Sequence, residues 1–355
     1  MMKKATYAFL TIALAFACAQ AKPKDKPAKA EKSARPPFGG TIFVSGNIIT
    51  AEDPTAFKSV VAAGRAEVRM FDRRPKKPHK VNAYLFTATF DDGQKMEIRV
   101  NPEFGAEGAM AQAKKYLPYI GQMPFALREK VQKVLIHKGK KGFGGGGAGL
   151  LIHTDMGDSY IRSRILAETL YHEAAHTSLD RWHSASKGWL AAQEKDARFI
   201  SGYAKSNPRR EDIAESYLLY FALRYKPHRI DDKLKETIRT TMPNRIAYFD
   251  SLELKMHPVK PAGALARMST TELQKELKPS DAQKAKIKAL VDKLAAEIKK
   301  LLEQKSPQAG IDKLKRQFDK QAVELLNAGQ RKTLDRALQT PKPQAPGRPT
   351  AGKSK

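Results

Sequence analysis

His172-Glu173-Ala174-Ala175-His176 is the stretch that decides how the rest of the chain is read. Leu166, Leu170 and Ala174 recur every four residues, a spacing that predicts a helix over about 160–178 with an apolar stripe. The two histidines fall on a neighbouring face, and Asp158 or Ser159 is placed to cap the start. Imidazoles four residues apart on a helix stand one turn above the other. They can close on a single Zn2+, with the glutamate beside them as general base.

A catalytic zinc needs a third protein ligand and an open position. The single cysteine, Cys18, lies in an N-terminal stretch that reads as a removable signal, so the ligand must be His, Asp or Glu. In the pattern H-E-x-x-H-x-x-G-x-x-H, the glycine position is Leu179 and the final histidine position is Trp182, with His183 one residue late. Aspartate in that final position fails at Trp182 as well. Further on, Arg210-Glu211-Asp212-Ile213-Ala214-Glu215 places two carboxylates four apart, on one helical face. One of them can bind the metal while the other accepts a hydrogen bond from a ligand histidine.

H-E-x-x-H followed some tens of residues later by Glu-x-x-Ala-Glu resembles the glutamate-zincins. Within them it is most similar to the branch of the Pro-Pro endopeptidases and the catalytic domain of anthrax lethal factor. The resemblance spans about residues 122–250 and implies a zinc metalloendopeptidase. It assigns the metal to His172, His176 and Glu211, the general base to Glu173 and a supporting role to Glu215. It also implies a tyrosine that donates to the developing oxyanion. Tyr203 is the candidate, eight residues before Glu211 where the family has seven; Tyr217, Tyr171 and His183 are the substitutes.

Working outward, the chain reads as α+β. A zincin-like domain over 121–258 follows a small β-containing region over 38–120. Strands are expected at 41–44, 81–90 and 96–100, the last two joined through Asp91-Asp92-Gly93-Gln94. A helix over 124–132 and strands at 133–137 and 149–154 come next. The last two flank a loop, Lys138 to Ala148, with Gly144 to Gly147 at its centre, which reads as a mobile flap or a floppy hairpin. Helices are expected over about 186–204, 209–225 and 230–250. His137 and His153 beside the loop offer a second metal position or structural roles, and Trp182 and Trp189 read as core.

Residues 1–21 have the form of a secretory signal, with Lys3 and Lys4 before an apolar run and Ala19-Gln20-Ala21 as cleavage site. Export to a periplasm or beyond is expected, with no transmembrane segment after cleavage. Acylation at Cys18 is disfavoured by Phe16. Residues 22–37 and 339–355 read as disordered basic segments. The formal charge of +28 suits an anionic envelope component or an acidic protein or peptide substrate, or simply a solvated lysine-rich surface; export argues against nucleic acid.

Residues 268–338 have helical periodicity and are expected to form a hairpin or bundle. Two segments there, Pro279 to Gln283 and Leu326 to Gln330, weakly resemble the L-T-x-x-Q motif of the Spy and CpxP helical proteins; helix capping is the competing explanation. That resemblance implies the alternative function, a non-catalytic envelope-binding or chaperone-like protein. A phosphate-loop pattern over 347–354 lacks the strand and helix it needs.

Overall fold

The computed structural model describes residues 35–338, apart from 42, 45, 197, 260–262, 305 and 307. The signal-like residues, most of the linker, the tail and the phosphate-loop pattern lie outside them. No helix among the described residues is long and apolar enough to cross a membrane.

Residues 57–100 fold into three antiparallel strands, β1 (Phe57–Asp72), β2 (Lys77–Phe90) and β3 (Lys95–Val100). Phe86, Ala88 and Phe90 on β2 and Met96, Ile98 and Val100 on β3 alternate into one core face. The turn between these strands forms as expected. Gly93 takes φ 85°, and buried Arg128 clamps it through Asp92 Oδ2 (2.6 Å) and Gln94 Oε1 (2.8 Å). β1 shows no alternation in sequence because most of its residues face solvent. The strand expected at 41–44 is absent among the described residues. Val44 and Gly46 instead donate their backbone N–H groups to the carboxylate of buried Glu168, at 2.7 and 3.0 Å.

After helices α1 (Gly105–Gln122) and α2 (Phe125–Arg128) come β4 (Lys133–His137), β5 (Gly144–Gly146) and β6 (Gly149–His153). The helix expected over 124–132 is thus a single turn. The six strands make one sheet in the order β1-β2-β3-β4-β6-β5, parallel only at β3-β4-β6. One hydrophobic core runs from Ile48 to Phe249, so the boundary expected near residue 120 does not separate two cores.

The helix expected over 160–178 is two helices, α3 (Thr154–Arg162) and α4 (Leu166–Ala175). α3 begins at Thr154, which leaves Asp158 and Ser159 inside it rather than at its cap. It closes on Arg164, which has φ 61°. The N–H groups of Arg164 and Ile165 return to the carbonyls of Ile161 and Tyr160, satisfying the helix's last acceptors. α4 continues into a π turn, His176–Asp180, and then α5 (Arg181–His183).

Next come α6 (Lys187–Lys195), α7 (Gly202–Ser206), α8 (Asp212–Tyr225), α9 (Asp232–Thr241) and α10 (Pro243–Asp250). α8 is buried along nearly its whole length and packs on α4, with the Tyr171 and Phe221 rings 4.9 Å apart. Burying an aromatic side chain of this size stabilises the fold by about 2–3 kcal/mol. Trp189 is core, as expected, but Trp182 is 48% exposed.

Helices α11 (Ala264–Met268), α12 (Thr271–Leu277), α13 (Asp281–Glu303), α14 (Gln308–Glu324) and α15 (Ala328–Leu338) share a separate core that includes Leu265, Met268, Ile287, Phe318 and Leu334. The two L-T-x-x-Q-like segments form capping boxes. Ser280 and Gln283 exchange backbone-to-side-chain bonds of 2.9 and 3.2 Å, as do Asn327 and Gln330 at 3.1 and 2.9 Å. The Gln283 and Gln330 amides also donate to each other's oxygens, at 3.0 and 3.2 Å.

Candidate metal centre

α4 carries His172, the π turn that continues it begins with His176 four residues later, and Glu211 is the residue just ahead of α8. His172 Nε2 and His176 Nε2 are 3.1 Å apart; Glu211 Oε2 lies 3.1 Å from the latter and 3.6 Å from the former. Ligands about 2.0–2.1 Å from a tetrahedral zinc ion are about 3.3 Å from one another. The three atoms therefore describe one face of such a tetrahedron. Buried Glu211 Oε2 receives no well-directed hydrogen bond, although both rings are near it. Two imidazoles and a carboxylate converging in this way fit zinc in number, chemistry and spacing. Among the described residues the only other group close enough to hold a metal is Asp91, Asp92 and His257, which is exposed and whose members are engaged with one another and with Arg128.

Two carboxylates stand behind the rings. Glu215 Oε1 lies 3.6 Å from His172 Nδ1, and Asp180 Oδ2 lies 2.7 Å from His176 Nδ1. A carboxylate in that place fixes the ring's orientation and tautomer. Asp180 belongs to no motif in the sequence. It lies four residues past His176, and the π turn brings it under the ring. Burial alone would push His176 down, but Asp180 and Glu211 outweigh it and hold the imidazole up at about 10. Burial would likewise raise Glu211; the neighbouring imidazoles and the Tyr203 hydroxyl hold it well below the usual carboxylate range.

Tyr203 does reach the centre. Its hydroxyl donates to Glu211 Oε1 at 3.0 Å, and the ring is 38% exposed. The substitutes do not reach it. Tyr171 and Tyr217 are in the core, donating to Gln122 O (2.9 Å) and Met256 S (3.9 Å), and His183 pairs with the Tyr248 hydroxyl at 2.8 Å. His137 and His153 sit on the sheet's opposite face. They stack on each other and meet Asn101 Nδ2 and Lys138 O at 3.0 and 2.9 Å, which is a structural role.

His172, His176 and Glu211 open onto a cleft of about 490 Å3. Glu173 lines it, and its carboxylate has no hydrogen bond or ion pair among the described residues. Phe43 lines it too, next to Val44 and Gly46, whose backbone N–H groups are bound by Glu168.

The glycine-rich loop contributes the edge strand β5, which pairs with β6. Gly145 packs so closely on α4 that a Cβ there would stand 1.8 Å from the Glu173 carbonyl oxygen. Thr177 pins this contact: its hydroxyl accepts from Gly146 N–H at 2.7 Å and lies 2.9 Å from Gly149 O. Deeper in, fully buried Arg245 bridges Asp196 (2.9 Å) and Asp212 (2.6 Å), anchoring the residue that follows Glu211.

No family model matches the chain, and searches of curated proteins and of solved structures return no match.

Proposed function

We propose that the protein is a zinc-dependent endopeptidase of the glutamate-zincin kind, acting on peptide or protein substrates outside the cytoplasm. The observation that carries this reading is the triangle of His172, His176 and Glu211 donor atoms, with edges of 3.1–3.6 Å, at the floor of an open cleft. Export rests on the signal-like residues 1–21. A zinc ion at such a site supplies Lewis acidity, polarising a carbonyl and making water a usable nucleophile near neutral pH. The unpaired carboxylate of Glu173 takes the proton of the attacking water and returns it to the leaving amine. Glu215 and Asp180 keep the two rings turned with Nε2 toward the cleft. Tyr203, whose hydroxyl donates to Glu211, lines the same cleft and is the donor to the oxyanion. The edge of β5 offers an extended peptide a strand to lie along.

The alternative, a chaperone-like protein acting through its C-terminal helices, has no comparable support, because the motif glutamines are consumed in capping. The test is hydrolysis of a mixed peptide library by the purified protein, with and without chelator. Cleavage abolished by chelator, restored by zinc and lost in a zinc-replete Glu173→Gln variant is expected. Turnover by that variant equal to the parent's would remove the mechanism.

A further inference from the structure

Two adjacent arginines at the tip of the β1–β2 hairpin are used in opposite ways. Arg74 is fully engaged: its guanidinium binds Asp72 Oδ2 at 2.7 Å and Glu103 Oε2 at 2.8 Å, clamping the tip. Arg73 turns into the cleft, among Gly142, Phe143, Tyr160 and Glu173. It has no ion pair or hydrogen bond among the described residues. Its guanidinium lies against the glycine strand, where a Cβ at 144 would come 2.8 Å from Nη2 and one at 142 would come 3.5 Å from Nη1. Glycine at 144 is therefore what makes room for it. The next residue, Gly145, is the one that touches the carbonyl of Glu173. The guanidinium of Arg73 and the backbone of Glu173 thus pack against neighbouring residues of the same three-residue edge strand, and both side chains line one cleft.

We propose that Arg73 selects substrate by binding a carboxylate on a residue close to the scissile bond, so that the enzyme prefers acidic peptides. This deepens the peptidase reading and rests on it. A guanidinium lying against the strand presents a planar fork that matches a carboxylate bidentately, a geometry neutral side chains do not satisfy. Arg210, also in the cleft and with a side chain that has no ion pair or hydrogen bond among the described residues, adds a second positive charge. Two of the three carboxylates lining the cleft, Glu211 and Asp180, face the imidazoles. The overall charge of +28 draws acidic chains toward the cleft from a distance.

The experiment uses internally quenched peptides with amidated C-termini, differing only by Glu or Gln at each position flanking the cleaved bond. The neutral peptide with a free C-terminal carboxylate is run beside them. The parent should favour Glu at one flanking position by about tenfold in kcat/KM, fading as salt rises. Arg73→Gln should remove the preference, Arg73→Lys should keep part of it, and Arg73→Glu should turn it toward Lys. A preference confined to the free-acid peptide would place the recognised carboxylate on the main chain rather than a side chain. Fluorescence anisotropy of the same labelled peptides on zinc-loaded Glu173→Gln protein reads the selectivity without turnover. Equal affinity for Glu and Gln peptides, or a preference that survives Arg73→Gln, overturns the role of Arg73. Absence of cleavage with every peptide sinks the peptidase reading instead, and the anisotropy series still decides the binding claim.

Discussion

Gly145→Ala separates the edge strand from the metal ligands. The added Cβ would stand 1.8 Å from the Glu173 carbonyl oxygen and 2.6 Å from its carbonyl carbon, where real Cβ contacts are essentially never under 3.0 Å. A gap of about 1.2 Å (3.0 − 1.8) must open. The atoms in the way are helix backbone, so no rotamer change supplies it; Thr177, tied to both Gly146 and Gly149, resists the parting. Overpacking of this kind costs about 1–3 kcal/mol of stability. Misplacing a substrate-positioning element by about 1 Å costs about 100-fold in rate. Zinc content should be unchanged, since His172, His176 and Glu211 lie on α4, on the π turn that continues it and just ahead of α8, not on β5. The assay is zinc stoichiometry by elemental analysis and chelator-sensitive peptide hydrolysis on the same preparations. Gly310→Ala, whose Cβ meets nothing within 4 Å, is the control. A variant with kcat/KM within about twofold of the parent would refute the reasoning, which rests on the displacement estimate of about 1 Å. Loss of zinc together with activity would show that α4 yields instead of β5.

Asp180→Asn should weaken zinc binding by about 10–100-fold with the fold intact, read by competition with a chromogenic chelator; unchanged affinity would dismiss Asp180 as a support for His176. Arg245→Leu leaves Asp196 and Asp212 buried and facing each other, and should cost about 3–5 kcal/mol in urea unfolding; parental stability would mean the network contributes nothing. Asp53 is buried, which by itself would raise it, but Lys226 at 2.7 Å and Arg229 at 2.5 Å hold its carboxyl at about 2 against an ordinary 3.8. A depressed carboxylate stabilises fully above its unfolded value. About 2 kcal/mol should therefore be lost as pH falls from 3.8 toward 2, and Asp53→Asn should lack that acid step in thermal melts.

His172, Glu173 and His176 are legible in sequence because helical spacing alone puts them on adjoining faces. Glu211 needs a non-local meeting of α4 and α8, which the spacing of Glu211 and Glu215 hints at but does not determine. Asp180 escapes notice because a bonding partner one turn past a ligand carries no pattern of its own, and the π turn that aims it follows no residue signal. The hairpin of β2 and β3 is readable from alternation and an Asp-Gly turn. β1 is not, since a strand wet on both sides has no periodicity to read. The glycine cluster signals freedom in sequence, whereas its structural meaning is proximity: Gly144 admits a guanidinium and Gly145 admits a helix backbone. The break at Arg164 was equally hidden, because a left-handed helix end usually announces itself with glycine.

The reciprocal amides of Gln283 and Gln330 have a consequence for how the last helices come apart. Each glutamine seats the first turn of its own helix while leaning on the other's, so the beginnings of α13 and α15 are mutually dependent. Neither can fray by itself without releasing its counterpart. Two sites 47 positions apart along the chain thereby behave as a single latch, fastened or undone together.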